Sequence, residues 1–551
     1  MIDAQYSPFR GLGGRYINYK HMKIPGLLLM ISLLLISACK SPDEPDPGNN
    51  DPKIDETLTK KTTATEGDAI KTVYETFYKP ANAVTGDPMP YYNEADQTFY
   101  IYFLLGRFSG YPGGGIYVTK TKDFAKFLPL NTPNYQILTG QVGEWDINMG
   151  TGDVIKKDNN YHFFYTVFTS PSTVSKATLA NDLSAGEWYK KPSFKIQPPA
   201  FCKNSEFRDP DVYWDDTRNK YVMLVAGQTT DNRAVLVRYQ SDDLNNWEEI
   251  QSLYKATDNN NPKIYEFPTD TDLPECPEVF KLGNKWYMIF SRINRDNHRK
   301  TFYRIANSPD GPWEICKDEN GNHETFDGLW LYAAKTSFDG QNRYLSGWAS
   351  TGQDKQPNSN ELTWGGNLIT HKLIQQPGGK LYPAIPDAVN AKFATPVLFK
   401  DIKQKGSVAK SNNTFTLSGN SQVVFNRNTS SLKIEMKIDA SEAEKGFGIG
   451  FGAYEDQEES YKLIFDMTSN NQYNCPALFM YQKNKELNFT PLIVSNNKQF
   501  DVKIIIEKQV CVMYVNGNVA FTNHISTMEQ NPWMIFSNSG TVRFSDIKIF
   551  K

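Results

Sequence analysis

"RDPDVYWDDTRNKYVMLVAG", Arg208 to Gly227, decides the fold. An acid set against a proline opens a short alternating segment, a polar turn follows, and an apolar run from Tyr221 reads as a strand. Similar runs stand at "FYIYFLL" from Phe99, "YHFFYTVF" from Tyr161, "WYMIFS" from Trp286 and "RYLSGWAS" from Arg343, so successive starts lie 62, 60, 65 and 57 residues apart. The first four are followed by another strand and a polar turn: "TKTKDFAKF", "LANDLSAGEW", "QSDDLNNWEE" and "ANSPDGPWE". The tryptophan closing three of these turns is expected to pack between neighbouring sheets. One small sheet cannot bury both faces, so five four-stranded units at a period near 60 predict a five-bladed β-propeller. A row of separate sandwich domains is the alternative.

A further short segment precedes each run: "GDPMPYY", "GTGDVIKK", "RDPDVYW", "ECPEVF" and "LYAAKTS". In a propeller the first strand of each blade lines the central channel, so acids at its start converge although they are far apart in the chain. Asp87, Asp209 and Glu275 are therefore expected to face one pocket. Proline lacks a backbone donor and fits the start of a strand. Taken singly, each acid is more often a turn or edge residue than a catalytic one.

The 551 residues are enough for two or three domains, and 59 basic against 62 acidic residues give a net charge of −3, which offers no electrostatic footprint for nucleic acid. Tyr, Phe and Trp make up 13% of the chain, which suits both strands and stacking on sugar rings. Five cysteines beyond Cys39 (Cys202, Cys276, Cys316, Cys475 and Cys511) are widely spaced with no C-x-x-C pair, so neither a disulfide framework nor a zinc site is indicated. Six histidines without H-E-x-x-H give no metal cluster, and no cofactor is expected.

"HMKIPGLLLMISLLLISAC", ending at Cys39, has a basic flank, an apolar run from Leu27 to Ile36 and small residues before the cysteine. This is a secretory signal, too short to span a bilayer comfortably. Ile36 to Cys39 resembles a bacterial lipobox, which implies cleavage, acylation of Cys39 and attachment to a membrane. Asp43 and Glu44 so close to that cysteine resemble an export signal of bacterial surface lipoproteins. The expected location is the outer membrane, facing outward. The segment "KSPDEPDPGNNDPKIDE" that follows cannot bury a core and reads as a tether. Expected units are a signal over 1–39, a linker over 40–70, the propeller over 71–390 and a second domain over 391–551.

That second domain reads as a β-sandwich. "SLKIEMKIDA" alternates Leu432, Ile434, Met436 and Ile438 with polar or charged partners, the pattern of a strand with one buried face. "FDVKIIIEKQVCVMYVNGNVAFTNHI" reads as two strands, a turn at Asn516-Gly517 and a third strand. From the residues alone it reads equally as a carbohydrate-binding module.

The ordered acids resemble glycoside hydrolase family 32, the invertases, inulinases and levanases. "RDP" at Arg208 to Pro210 and "ECP" at Glu275 to Pro277 match family motifs outright. The first motif, N-D-P-N-G in the family, departs: Gly86 stands for the first Asn and Met89-Pro90 for Asn-Gly, leaving Asp87-Pro88. "FDGLWLYAAKTSFDGQNRYLSGWAS", Phe326 to Ser350, and the segment from Trp364 to Pro386 resemble the family's later blades, although Thr370-His371-Lys372 replace P-R-E. The resemblance covers roughly residues 75 to 390, and the C-terminal segment resembles the family's sandwich.

The resemblance implies a retaining β-fructofuranosidase that acts on fructans or fructo-oligosaccharides through a covalent fructosyl-enzyme. Asp87 would be the nucleophile, Glu275 the acid/base and Asp209 a transition-state stabiliser, with Arg208, Asp327 and Trp348 binding substrate. In a retaining glycosidase the two carboxyl groups stand about 5–5.5 Å apart. Glu275 would need burial or nearby anions to stay protonated at neutral pH. Arg208 would pair with a carboxylate, Cys276 would be a packed thiol, and the loop from Asp258 to Thr271, with Tyr265 and Phe267, would cap the pocket or pack. A monomer is expected. Two alternatives remain open at this point: a glycan-binding protein that lost turnover, and an inverting arabinan or xylan hydrolase of family 43 type, whose carboxyl groups would stand about 6.5–9.5 Å apart.

Overall fold

The computed structural model describes residues 73–551, apart from 82, 108–114, 129–135, 141–142, 185–186, 256–264, 268–272, 294–298, 316–324, 351–363, 427–430, 453–459 and 526–531. Cys39, the 1–39 signal, the 40–70 linker and Cys316 lie outside the described residues. So does the loop from Asp258 to Thr271, except for a short strand Tyr265–Phe267.

Five antiparallel sheets follow one another along the chain. The first blade comprises strands Ala83–Asn93, Thr98–Arg107, Gly115–Thr121 and Gln136–Thr139. The second runs from Met149–Lys157 to Tyr189–Lys190, and the third from Cys202–Asp215 to Glu248–Lys255, with Tyr265–Phe267 added in parallel. The fourth runs from Glu275–Leu282 to Glu314–Ile315 and the fifth from Leu331–Phe338 to Leu381–Ala384. Each run that set the sequence period is the second strand of its blade, and each segment before it is the first.

The tryptophans that close the polar turns lie where blades meet. Trp188 of the second blade packs edge-on against Tyr102 of the first at 6.2 Å, and Trp247 of the third does the same to Phe164 of the second at 5.6 Å. Trp313 of the fourth joins the cluster around Val222 and Leu224 of the third. Burying such large rings between sheets favours a closed ring. The ring closes where Thr85 of the first blade pairs with Gly366 of the fifth, its hydroxyl donating to the Gly366 carbonyl at 2.8 Å.

The first strands of the second to fifth blades are edge strands, so their channel-side backbone groups have no sheet partner. A buried N–H must find an acceptor. Side chains of the preceding blade supply it: Asp153 accepts from Val212 N–H at 3.0 Å, Asp209 from Cys276 N–H at 3.0 Å, Asp211 from Val279 N–H at 3.1 Å and Glu278 from Thr336 N–H at 2.6 Å. Between the first two blades the acceptor is the Met89 thioether, 3.0 Å from Gly152 N. Carboxylates recur on these strands partly because they stitch one blade to the next.

Helix Asp387–Lys392 leads into a twelve-stranded antiparallel sheet that begins at Asp401 and folds over one apolar core. Leu432, Ile434, Met436 and Ile438 all point into that core. Asn516 and Gly517 both take positive φ, 51° and 62°, as a tight hairpin between Val510–Val515 and Val519–His524 requires. Propeller and sandwich share apolar clusters: Val510, Val512 and Tyr514 join the propeller's Phe103 and Tyr117, while Leu329 and Trp330 enter the sandwich core.

Candidate active site

Every first strand carries a β-bulge that leaves two residues unpaired: Asp87-Pro88, Gly150-Thr151, Asp209-Pro210, Cys276-Pro277 and Ala333-Ala334; the third blade's strand has a second break between Cys202 and Phe207. In four of these the first residue is left-handed, with φ of 43° at Asp87, 57° at Asp209, 48° at Cys276 and 51° at Ala333. Non-glycine residues adopt this conformation at a cost, and bulges re-aim side chains beside functional sites. Proline follows in three blades because the bulged residues make no ladder bond for it to break. The acid-proline pairs are thus bulge residues whose carboxylates turn into the channel.

Asp87 and Asp209 occupy the same bulge position in their blades, whereas Glu275 sits one residue earlier, in register with Arg208 and Tyr332. That offset brings three successive blades onto one carboxylate. Arg208 donates through Nη2 to Glu275 Oε1, and the Tyr332 hydroxyl donates to Oε2. Glu275 is 22% exposed and buried Asp209 only 6% by side chain, so Glu275 is the more open of the two. Arg208 also lies 3.8 Å from Asp209 and 3.7 Å from Glu206. Burial pushes the Arg208 guanidinium towards losing its proton, but Glu275, Asp209 and Glu206 together hold it above its ordinary value.

Asp87 is half-buried and held at both oxygens, by Trp348 Nε1–H at 3.0 Å and by the Thr151 hydroxyl of the second blade at 3.2 Å. Exclusion of water, then the charges of Asp209 and Glu275, raise its pKa to about 7 against the pull of those two donors. Asp209 is raised as well, chiefly by burial; Arg208, the Cys276 N–H and Lys335 oppose the shift. Its own N–H donates to the Thr166 hydroxyl at 2.8 Å. The Cys276 thiol, 3.8 Å from Asp209, is buried and pushed well above its ordinary pKa by desolvation and the surrounding carboxylates.

The structure therefore gathers Asp87, Asp209, Glu275 and Arg208. Trp348 is wholly buried in contact with Asp87, so it bears on the carboxylate rather than on a sugar. Asp327 is not in this pocket. It is 2% exposed and held by His371 Nε2 at 2.9 Å, Thr522 N–H at 2.7 Å and the Thr522 hydroxyl at 2.5 Å, where propeller meets sandwich. The expectation that Asp327 binds substrate is corrected: its oxygens are taken up by protein donors.

The altered first motif has a local cause. A Cβ at position 86 would stand 2.3 Å from two atoms of the Trp364 indole, so that ring occupies the space of any side chain there. Tyr332, Thr151 and Trp364 were missed in the sequence. Tyr332 was findable: aligning "LYAAKTS" with "ECPEVF" at the bulge puts it in register with Glu275.

The profile described as "Glycosyl hydrolases family 32 N-terminal domain" matches residues 79–382, and "GH32, BT1760-like, C-terminal domain" matches residues 379–549. A levanbiose-producing levanase of Bacillus subtilis is 21% identical over 362 residues, 62% of this chain and 64% of its own. A second relative, "Beta-fructofuranosidase, insoluble isoenzyme CWINV2" of Arabidopsis thaliana, is 26% identical over 240 residues, 39% of each chain. The chain thus spans less than two thirds of the length of these curated relatives. Among solved structures, Aspergillus kawachii β-fructofuranosidase superposes with a TM-score of 0.65 at 15% identity, covering 90% of this chain and 97% of its own. Fructan 1-exohydrolase IIa of Cichorium intybus superposes with a TM-score of 0.63 at 18% identity, covering 88% and 98%. These likenesses carry the fold, a five-bladed propeller followed by a β-sandwich.

Proposed function

The chain belongs to glycoside hydrolase family 32, and on that premise we propose that it is a retaining β-fructofuranosidase acting on fructosyl linkages of fructans or sucrose-type oligosaccharides. One observation carries this reading: three carboxylates from three blades meet in one channel, each held by donors from a neighbouring blade. Binding alone needs no such set, and family membership leaves the inverting alternative without support.

An Asp87 oxygen attacks the anomeric carbon while the glycosidic C–O bond breaks and the Glu275 proton passes to the leaving oxygen. Arg208 and Tyr332 fix the direction in which Glu275 offers that proton. Asp209 accepts hydrogen bonds from fructosyl hydroxyls that strengthen as positive charge develops. Water then gives a proton to Glu275 and attacks the same carbon, and Asp87 leaves as the carboxylate. Acylation at Cys39 would present the enzyme to polysaccharide outside the cell, a reading supported by the lipobox-like "ISAC".

Incubation with sucrose, inulin and levan, followed by product chromatography, tests the activity. Release of fructose or fructo-oligosaccharide is expected. Binding without release from any of the three would replace the enzyme with a glycan-binding protein. For the anchor, a Cys39→Ala form that still partitions wholly with membranes would refute acylation.

A further inference from the structure

One step deeper in the channel lies a second layer of charge that the reaction does not use directly. The residues after the bulges of the third, fourth and fifth blades are Asp211, Glu278 and Lys335, all buried, and Asp153 joins them from the second. The three acids are committed to backbone N–H groups of the next blade, as described above. The Lys335 ammonium sits among them, 3.2 Å from the Gly152 carbonyl, 3.4 Å from the Pro210 carbonyl and 3.5 Å from Asp211 Oδ1.

Two of these contacts reach the proposed catalytic layer through one peptide bond each. Pro210 is the second bulge residue, and its partner Asp209 is the left-handed one. Gly152 follows Thr151, whose hydroxyl holds Asp87. We infer that Lys335 is a positioning residue for the reaction: its ammonium ties the bulge bearing Asp209 to the strand that holds Asp87, and it supplies the positive charge beneath both. This rests on the fructosidase reading above.

The groups that face Lys335 are Asp153 from the second blade, Asp209 and Asp211 from the third, and Cys276 and Glu278 from the fourth. On its own blade the Arg343 guanidinium lies 3.7 Å from Glu278. Above stand Asp87, Glu275 and Arg208. Burial alone would strip the lysine of its proton, but Asp211 and Asp153 hold it above the ordinary lysine value. Lys335 in turn opposes the rise in Asp209. The carboxylates titrate as a set, so removing this charge makes their protons harder to lose.

The test is the pH dependence of kcat/KM on sucrose or levan for the full chain and for Lys335→Met and Lys335→Gln. Glutamine can keep an N–H on the two carbonyls without the charge. The acid limb should move to higher pH in both variants by about one unit, with a loss of roughly tenfold at pH 5 and less than threefold at pH 8. Profiles that superimpose on the parent after scaling would overturn the inference, whatever the loss in amplitude. Failure of both neutral variants to fold would also overturn it, in favour of a purely structural lysine. A parent inactive on all substrates ends the fructosidase reading instead; an active parent with superimposed profiles ends only this one.

Discussion

The indole N–H of the wholly buried Trp348, on the strand Arg343–Ser350 of the fifth blade, donates to Asp87 Oδ1 at 3.0 Å across 261 residues of chain. Because Asp87 is raised to about 7 by exclusion of water and by Asp209, this donor and Thr151 are what favour its ionised form. A nucleophile must be ionised, so kcat/KM should climb with pH through about 7. Trp348→Phe keeps the ring and removes the donor. The acid limb should then shift upward, and activity at pH 7 should fall roughly tenfold, the worth of one hydrogen bond to a charged group. A pH profile that leaves the limb in place would show that the indole only packs.

Two buried carboxyls should contribute to stability with a pH dependence opposite to that of a salt-bridged carboxylate. Burial, then the charge of Asp211, raises Glu278 to about 8, and the same causes raise Asp153 to about 7. Both carboxyls hold protons in the fold that the unfolded chain releases near its ordinary value of about 4. At these two sites the unfolded state therefore binds fewer protons between these limits, so their contribution to stability falls as pH rises from about 4 to about 8. Asp153→Asn keeps an oxygen for the Val212 N–H and cannot ionise. It should raise the melting temperature at pH 8 and leave it almost unchanged at pH 5, as calorimetry at the two pH values would show.

Asp327 offers a separation of roles. If it serves the junction of propeller and sandwich, Asp327→Ala should cost about 3–5 kcal/mol in urea unfolding, because it leaves His371 and the Thr522 donors unpaired. The folded fraction should keep its KM within about twofold. A large rise in KM with normal stability would return Asp327 to the substrate.

The propeller was legible because one strand pattern recurs five times, and apolar runs such as "YVMLVAG" are buried on both faces wherever they stand. Asp87 and Asp209 stand out because acid and proline together fill a bulge, and Glu275 because it directly precedes one, Cys276-Pro277. The partners were not. Asp327 meets Thr522 across 195 residues, and nothing in "FDGLW" says that the sandwich closes over it. Lys335 is hidden for another reason: in "LYAAKTS" it stands where two other blades carry acids, and its meaning appears only when the five bulges are set in register.

The three carboxylates, alike in sequence, should part in their variants. Asp209→Asn can still accept the Cys276 N–H through its amide oxygen, so the bulge should survive. What it loses is the anion, and kcat should fall substantially with a smaller change in KM, because the bonds concerned strengthen in the transition state. Asp87→Ala should also abolish turnover, but azide can enter the vacated space and attack the anomeric carbon from the same face, giving an inverted fructosyl azide while Glu275 protonates the leaving oxygen. Glu275→Ala should still form the covalent intermediate from substrates with good leaving groups, which need no proton. Arg208 and Tyr332 would remain to line the gap. Steady-state kinetics with and without azide separate the three outcomes. Near-normal activity in Asp209→Asn, with the other two inactive, would reduce the "RDP" bulge to a stitch between the third and fourth blades, and the carboxylate at its tip to an acceptor for one backbone N–H.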